Sequence, residues 1–133
     1  MALHTQLPVY KLAYDLLCLA TDLTRNMPRD FKASLGGRLR DECLNVLLLV
    51  ARANAALEKG PHLTLLLEHL QVAELLLRLA HDKQFISHAQ YARSVLVTDS
   101  VGAQVGGWRK KMAAQLWQAA EEPVRAQGSL FGR

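Results

Sequence analysis

The chain has 133 residues, of which 50% are apolar and only 6% aromatic, and its formal net charge is +4. A chain of this length suits one domain with a single core. Leucine and alanine, which favour helix, dominate the apolar residues, and no run alternates apolar and polar residues with a period of two. We therefore exclude a sheet-based fold and predict an all-α domain, whose basic charge is compatible with nucleic acid without requiring it.

Apolar residues recur at spacings of three and four along four stretches of the chain, as they do on amphipathic helices. Pro8 suits the first position of the first helix, and Pro28 ends or bends that helix. Lys59-Gly60-Pro61 predicts the turn between the second and third helices. Short loops between such helices predict an up-down-up-down four-helix bundle over residues 1–120. The predicted helices cover about residues 8–27, 30–58, 61–81 and 87–120.

The second and third helices are apolar on more than one side. Such a helix is either central in its bundle or shared with another subunit, so we expect a homo-oligomer.

Cys18 and Cys43 lie inside apolar helical patterns, which predicts buried free thiols in a reducing compartment. We expect a cytoplasmic protein, because the N-terminal residues lack a signal-peptide pattern. Charges also break each apolar run short of the roughly 20 residues that cross a membrane.

The segment from Arg25 to Arg40, called the joint below, connects the first two helices and is rich in basic residues. Helical spacing places Arg29, Lys32 and Arg40 on one face. Gly36 lies on the same line and would leave the backbone exposed, which suits contact with a phosphate backbone. A solvated helix start is the alternative interpretation. The candidate nucleic-acid-binding residues of the joint are Arg25, Arg29, Lys32, Arg38 and Arg40.

A second basic group, Arg109, Lys110 and Lys111, follows Trp108 in the fourth helix. These charges form either an anion-binding surface or the solvated half of a helix. We expect Trp108 to pack in the core. Glycines interrupt the same helix, and we expect them to allow close approach of a neighbouring helix. These glycines are Gly102, Gly106 and Gly107.

The sequence contains no pattern that predicts catalysis, a metal site or a cofactor. His62 and His69 share a helix face, but seven residues separate them by about 10.5 Å, too far for one metal ion. No helix carries the Glu-x-x-His pair of carboxylate-bridged metal sites. The serines lie in no nucleophile elbow, and the apolar settings of the cysteines disfavour the thiolate. We interpret Asp41-Glu42 as a charge-compensating pair near a helix start and expect a non-enzyme; a bundle enzyme with a bound metal is a third interpretation.

Several short motifs follow one another over residues 7–111. They are Leu7–Lys11 at the start of the first helix, Met27–Lys32 and Leu35-Gly36 at the joint, Arg52–Asn54 at the end of the second helix, and Val105–Trp108 in the fourth. Their order and spacing resemble those of the four-helix-bundle proteins related to accessory variability determinants, which are accessory proteins of diversity-generating retroelements. The same broad family includes bundles encoded in intervening sequences of bacterial large-subunit ribosomal RNA genes.

This resemblance implies a small basic bundle that assembles into a ring-shaped homopentamer. It also implies association with the retroelement reverse transcriptase and with RNA or DNA. The protein would support error-prone copying of a template RNA into complementary DNA, and would have no activity of its own. The alternative is a self-assembling bundle of the ribosomal-intervening-sequence type without a polymerase partner.

The C-terminal residues have little periodicity, which predicts a flexible tail over residues 121–133. Within it, residues 127–131 resemble the bacterial sliding-clamp binding peptide, an extended segment whose glutamine, leucine and phenylalanine fill pockets. Gly128 departs from that peptide, which usually has a larger apolar residue at this position. A tail without a partner is the alternative. The candidate clamp-binding residues are Gln127, Leu130 and Phe131.

Overall fold

The structure, a computed structural model, describes the backbone of residues 3–131 and the side chains of residues 3–121. Four helices form most of this part of the chain, which contains no strand, so the predicted all-α class is confirmed. None of the helices over residues 3–131 combines the length and the hydropathy that a membrane span requires. Helix α1 covers Pro8–Arg25, α2 covers residues 29–55, α3 covers Gly60–Asp82 and α4 covers His88–Phe131.

The helices enclose one apolar core. Helix α1 packs against α2 and α4, and α3 packs against the same two helices. Burial of a leucine or valine side chain in such a core contributes about 1.5–3 kcal/mol. Trp108 of α4 packs against the core as predicted. The largest fully buried apolar side chains are Leu16 on α1, Leu39, Val46 and Val50 on α2, Leu63 and Leu66 on α3, and Val101 and Val105 on α4.

Helix α2 changes its winding near its start. It consists of Arg29–Phe31, a π-helical stretch Lys32–Gly36 and the regular α-helix Gly37–Ala55. A π-helical turn holds more residues than an α-helical turn, so it shifts which residues face the neighbouring helix. In this stretch Lys32 is exposed, whereas Leu35 and Gly36 are buried.

Gly36 lies directly against α1. A Cβ atom at this position would be 2.3 Å from Cγ2 of Thr24, far inside the van der Waals limit. The Thr24 hydroxyl is itself held in place, because Oγ1 donates a hydrogen bond to the Ala20 carbonyl oxygen at 2.7 Å. The same Oγ1 lies 3.5 Å from the carbonyl oxygen of Gly36. Only glycine therefore fits this contact, and α1 and α2 approach each other closely here.

The glycines of α4 do not have the expected role. A Cβ atom on Gly102 would make an ordinary 3.5 Å contact with Leu70, and Cβ atoms on Gly106 and Gly107 would meet no described atom within 4 Å. The prediction that these glycines allow close helix approach is wrong for Gly106 and Gly107. The reason is that these two positions of α4 are turned away from the other described helices.

Helix α2 ends at Ala55, earlier than predicted, because the backbone becomes extended at Ala56, and Lys59 caps this end. The Lys59 ammonium group donates hydrogen bonds to the carbonyl oxygens of Ala53, Asn54 and Ala56 at 2.9, 3.0 and 2.8 Å. Ala53 and Asn54 belong to the last turn of the helix and Ala56 follows it, a region where carbonyl oxygens need capping partners. A positive charge at this end also interacts favourably with the helix dipole.

Helix α4 continues through Phe131, so the prediction that the helix ends near residue 120 is wrong. Alanine, glutamine, glutamate, arginine and leucine make up most of the segment after residue 112. These residues favour helix, and the helix continues through Pro123 and Gly128 although both are unfavourable in a helix interior. Among the described side chains, those of residues 113–120 are all exposed, so this part of α4 extends beyond the core.

One of the two cysteines is not buried as predicted. Cys43 lies in the core, but Cys18 is exposed on α1. Helical spacing explains the difference, because Cys18 is three residues after Asp15 and four residues before Asp22, so the three share one face. The structure places Cys18, Asp15 and Asp22 around one shallow cavity.

The Gly36 contact leads to a first prediction. Gly36→Ala is expected to lower the free energy of unfolding by about 1–3 kcal/mol, because the new methyl group forces α1 and α2 apart. Gly37→Ala is the matched control, since a Cβ atom there meets no described atom within 4 Å. That control is expected to be neutral or to stabilise the helix by up to about 1 kcal/mol.

Urea unfolding followed by circular dichroism measures both variants. Adding Thr24→Ser to Gly36→Ala removes the obstructing Cγ2 atom and is expected to recover part of the lost stability. Equal effects of the two glycine substitutions would contradict the close contact.

Candidate nucleic-acid interface

Three of the predicted basic residues of the joint are free to meet an anion. Arg29, Lys32 and Arg40 are exposed, and none has an ion-pair partner among the described residues. Arg29 lies in the first turn of α2, Lys32 begins the π-helical stretch, and Arg40 lies in the regular helix that follows. Within the described part of the chain, no ion pair holds these three side chains in place.

The other two basic residues of the joint are partly neutralised. Arg25 lies 3.6 Å from Asp22, and both side chains are largely exposed, so this pair contributes little to stability. Arg38 donates a hydrogen bond from Nε to Oε1 of Glu42 at 2.9 Å. The Glu42 carboxylate is nearly buried, so Arg38 is more firmly engaged than Arg25.

The joint does not present an exposed glycine backbone between its basic residues. We expected Gly36 to lie on the same face as Lys32 and Arg40, but Gly36 is buried against Thr24. The physical reason is the π-helical winding, which shifts the register assumed for a regular α-helix. Contacts from the joint to phosphate groups would therefore come from side chains, not from the glycine backbone.

The second basic group lies at the opposite end of the bundle from the joint. Phe31 of the joint packs against Phe85 in the turn before α4, with ring centroids 4.7 Å apart. Trp108, by contrast, lines a cavity with Pro8 at the start of α1. Because α1 has 18 residues, its two ends are about 27 Å apart. Arg109, Lys110 and Lys111 are exposed, but the structure does not bring them together with the joint.

A buried polar network near the joint was not predicted from the sequence. Glu42 is only 5% exposed, and its Oε2 accepts a hydrogen bond from Nδ1 of His69 at 2.5 Å. Its other oxygen accepts from Arg38. Glu42 therefore compensates the charge of Arg38, and it is also a buried hydrogen-bond acceptor, which we did not expect. The sequence indicates only one of the two partners of Glu42. Arg38 is four residues away on the same helix, whereas His69 lies on another helix and no local pattern indicates it.

The network determines the charge state of Glu42. Burial alone would raise the pKa of this carboxyl group, but the hydrogen bonds and positive charges of His69 and Arg38 outweigh burial and lower the pKa below its ordinary value. The ionised carboxylate links α2 to α3.

Burial, together with the charge of Glu42, raises the pKa of the Cys43 thiol to about 12, so this thiol is not a nucleophile at neutral pH.

Over residues 3–121, no group of three or more histidine, cysteine, aspartate or glutamate side chains is placed to hold a metal ion.

A family model described as bAvd-like matches residues 8–112. The chain belongs to the bAvd-like family. This finding confirms the resemblance to the accessory variability determinants. No curated protein matches the chain significantly.

The bAvd-like match includes the joint, the Glu42 network and the second basic group. It does not include the candidate clamp-binding residues. Gln127, Leu130 and Phe131 also lie beyond the residues whose side chains the structure describes, although the helical backbone reaches Phe131. Their binding to a sliding clamp stays a prediction.

The bAvd-like bundle also exposes apolar side chains on two neighbouring helices. Leu44 and Leu48 on α2 are each 41% exposed and lie one helical turn apart. Leu75 and Leu79 on α3 have the same spacing and are 66% and 42% exposed. The sequence predicted that these two helices are apolar on more than one side. One apolar side is buried in the core of the described chain, and these leucines belong to another, exposed side.

A second prediction concerns Glu42. Because folding lowers its pKa, the ionised carboxylate stabilises the fold above the ordinary pKa of 4.5, and this contribution is lost as the pH falls through the lowered value. Glu42→Gln is therefore expected to reduce the free energy of unfolding by about 1–3 kcal/mol at pH 7. The difference from the wild-type protein should shrink in acid, where both side chains are neutral.

Urea denaturation at a series of pH values between neutral and acid tests this prediction. Asp41→Asn is the control, because Asp41 is the exposed neighbour of Glu42. A loss that is the same at every pH, or the same in both variants, would show that the ionised Glu42 carboxylate does not stabilise the fold.

Proposed function

We propose that the protein is a non-catalytic accessory subunit of a diversity-generating retroelement. It binds the reverse transcriptase together with template RNA or complementary DNA, and it supports mutagenic reverse transcription in the cytoplasm. The observation that carries this proposal is the bAvd-like match over residues 8–112, which spans all but the end of the bundle.

The proposed assembly is a ring of up-down-up-down bundles, with five subunits by resemblance to the family. The positions of the helix ends support this topology, since the joint meets the turn before α4 and the start of α1 meets Trp108. The exposed leucines of α2 and α3 support the homo-oligomer. An apolar surface of this kind is stabilised when a second copy covers it.

The proposed nucleic-acid surface is centred on Arg29, Lys32 and Arg40. These side chains are exposed and have no ion-pair partner among the described residues, so they lose no internal interaction when they bind phosphate. Arg109, Lys110 and Lys111 form a separate basic group towards the other end of the bundle, whose first helix is about 27 Å long. In the same part of α4, Leu116 and Trp117 are 62% and 69% exposed, which favours contact with a protein partner there.

Co-purification with the reverse transcriptase of the same retroelement tests the proposed function. We expect a complex that survives gel filtration when template RNA is present, and complementary DNA synthesis that depends on the added protein. A polymerase that neither binds the protein nor responds to it with template RNA present would refute the proposal.

The basic surface gives a third prediction. Reversing Arg29, Lys32 and Arg40 together to glutamate is expected to weaken nucleic-acid binding and to reduce its dependence on salt, because fewer counterions are released. Each lost phosphate contact reduces the slope of log K against log salt by roughly 0.7–0.9. Helix content and assembly should not change, because the three side chains are exposed.

Fluorescence anisotropy with labelled RNA and DNA at several salt concentrations measures this effect. Reversal of Arg109, Lys110 and Lys111 is the comparison, since it changes the same amount of charge at the other end of the bundle. Binding that depends only on the second group would remove the joint from the interface.

The exposed leucines give a fourth prediction. Leu44→Glu together with Leu48→Glu is expected to dissociate the homo-oligomer, because two charges would be buried in an apolar contact. Tyr14→Glu is the control, since Tyr14 is 51% exposed and lies on α1, not on the helix that carries Leu44 and Leu48. Light scattering at micromolar concentration measures the mass. A wild-type monomer, or an oligomer that tolerates both glutamates, would contradict this interface.

A self-assembling bundle of the ribosomal-intervening-sequence type remains the second candidate. The exposed leucines of α2 and α3 favour it equally, since self-assembly needs no polymerase. Gene neighbourhood distinguishes the two functions. A reverse transcriptase gene with paired template and variable repeats indicates the first, and a surrounding ribosomal RNA operon indicates the second.

A further inference from the structure

The turn between α3 and α4 holds two histidines in a defined position. His81 lies in the last turn of α3, and His88 begins α4. The start of α4 is fixed by the predicted capping box, in which the Ser87 N–H donates to Oε1 of Gln90 at 2.7 Å and the Gln90 N–H donates to Oγ of Ser87 at 3.0 Å. The Phe85 N–H also donates to the Ala80 carbonyl oxygen at 2.8 Å. The turn is therefore held at both helix ends.

The two imidazole rings face each other through nitrogen atoms. Nε2 of His81 lies 3.3 Å from Nδ1 of His88, and the ring centroids are 5.5 Å apart. This separation is slightly long for a hydrogen bond between nitrogens. Two nitrogen atoms that bind the same tetrahedral metal ion, each at a metal–nitrogen distance of about 2.0–2.1 Å, are also roughly 3.3 Å apart.

Neighbouring side chains orient His81 in the way that metal-binding histidines require. Its Nδ1 lies 3.4 Å from Oδ1 of Asp82, so the carboxylate favours the tautomer with the proton on Nδ1. Nε2 then carries no proton, and its lone pair is available on the edge of the ring that lies 3.3 Å from Nδ1 of His88. A histidine ligand that donates its second N–H to a carboxylate is the usual arrangement in metal sites. The ring of Tyr91 stacks on His81 with centroids 4.5 Å apart, which restricts rotation of the imidazole.

We propose that His81 and His88 form a binding site for a divalent first-row transition-metal ion such as Zn²⁺, Ni²⁺ or Cu²⁺. Neutral imidazole suits these ions, whereas Mg²⁺ and Ca²⁺ prefer oxygen ligands. The described residues supply no third histidine, cysteine or carboxylate ligand, so water completes the coordination. An open cavity of about 680 Å³ at this turn leaves room for it. The ion would bridge α3 and α4 next to the joint, because Phe85 of the turn packs against Phe31.

This site is independent of the proposed function and was not predicted from the sequence. The helical spacing of seven residues would place His81 and His88 about 10.5 Å apart, as it does His62 and His69. Residues 83–87 leave the helix, and the reversal of the chain brings the rings together.

Isothermal titration calorimetry with ZnCl₂ tests the proposal on the full chain, without a histidine tag and after treatment with a chelator. We expect one ion per chain, and a loss of affinity of at least about tenfold in His81→Ala and in His88→Gln, because one ligand of the chelate is removed. His62→Ala is the matched control and should bind like the wild-type protein. Circular dichroism establishes that each variant is folded, and His88→Gln keeps a polar side chain at the exposed helix start.

A second readout uses the ion itself. Cu²⁺ is expected to bind more tightly than Ni²⁺ or Zn²⁺, and its electron paramagnetic resonance spectrum should show two coupled nitrogens in the wild-type protein and one in His88→Gln. Absence of binding at up to about 1 mM Zn²⁺ would overturn the proposal. Binding that is retained when both histidines are replaced would also overturn it.

Discussion

The contact between Gly36 and Thr24 determines how the first two helices meet. It brings the backbone of α2 against α1 at a distance that no other side chain permits. The π-helical stretch adjusts the register so that Leu35 and Gly36 turn inward. From Leu39 onward the regular helix continues this inward face into the core, and the charged residues of the joint remain outside. The basic surface thus depends on a packing contact on the opposite side of the same helix.

The core tolerates one carboxylate because its partners are supplied by two helices. Glu42 accepts hydrogen bonds from Arg38 of α2 and from His69 of α3. Removing one partner would leave an uncompensated buried charge, which is costlier than an apolar replacement of the whole group. The network therefore specifies the pairing of α2 with α3. The exposed leucines lie on these same helices, so a rotation of either helix would alter both the network and the apolar surface.

The two ends of the bundle differ in chemistry. One end holds the joint, the Phe31–Phe85 contact and the paired histidines of the α3–α4 turn. The other end holds the second basic group and the exposed extension of α4. Because about 27 Å separates them, one short stretch of nucleic acid does not reach both groups within a single subunit unless it runs along the bundle. An assembly of several subunits would repeat both surfaces around its axis.

The sequence by itself determined the helices, because apolar spacing, Pro8, Pro28 and the capping box of Ser87 and Gln90 act within a few residues. The predicted end of α4 is the exception, because the helix continues past Pro123, where a local pattern predicts a break. The sequence also indicated the family through short ordered motifs. Only the tertiary structure decided that Gly36 is buried, that Glu42 meets His69, that Cys18 is exposed and that the basic groups are separate. These features depend on the rotation and crossing of helices distant in sequence, which no local pattern specifies.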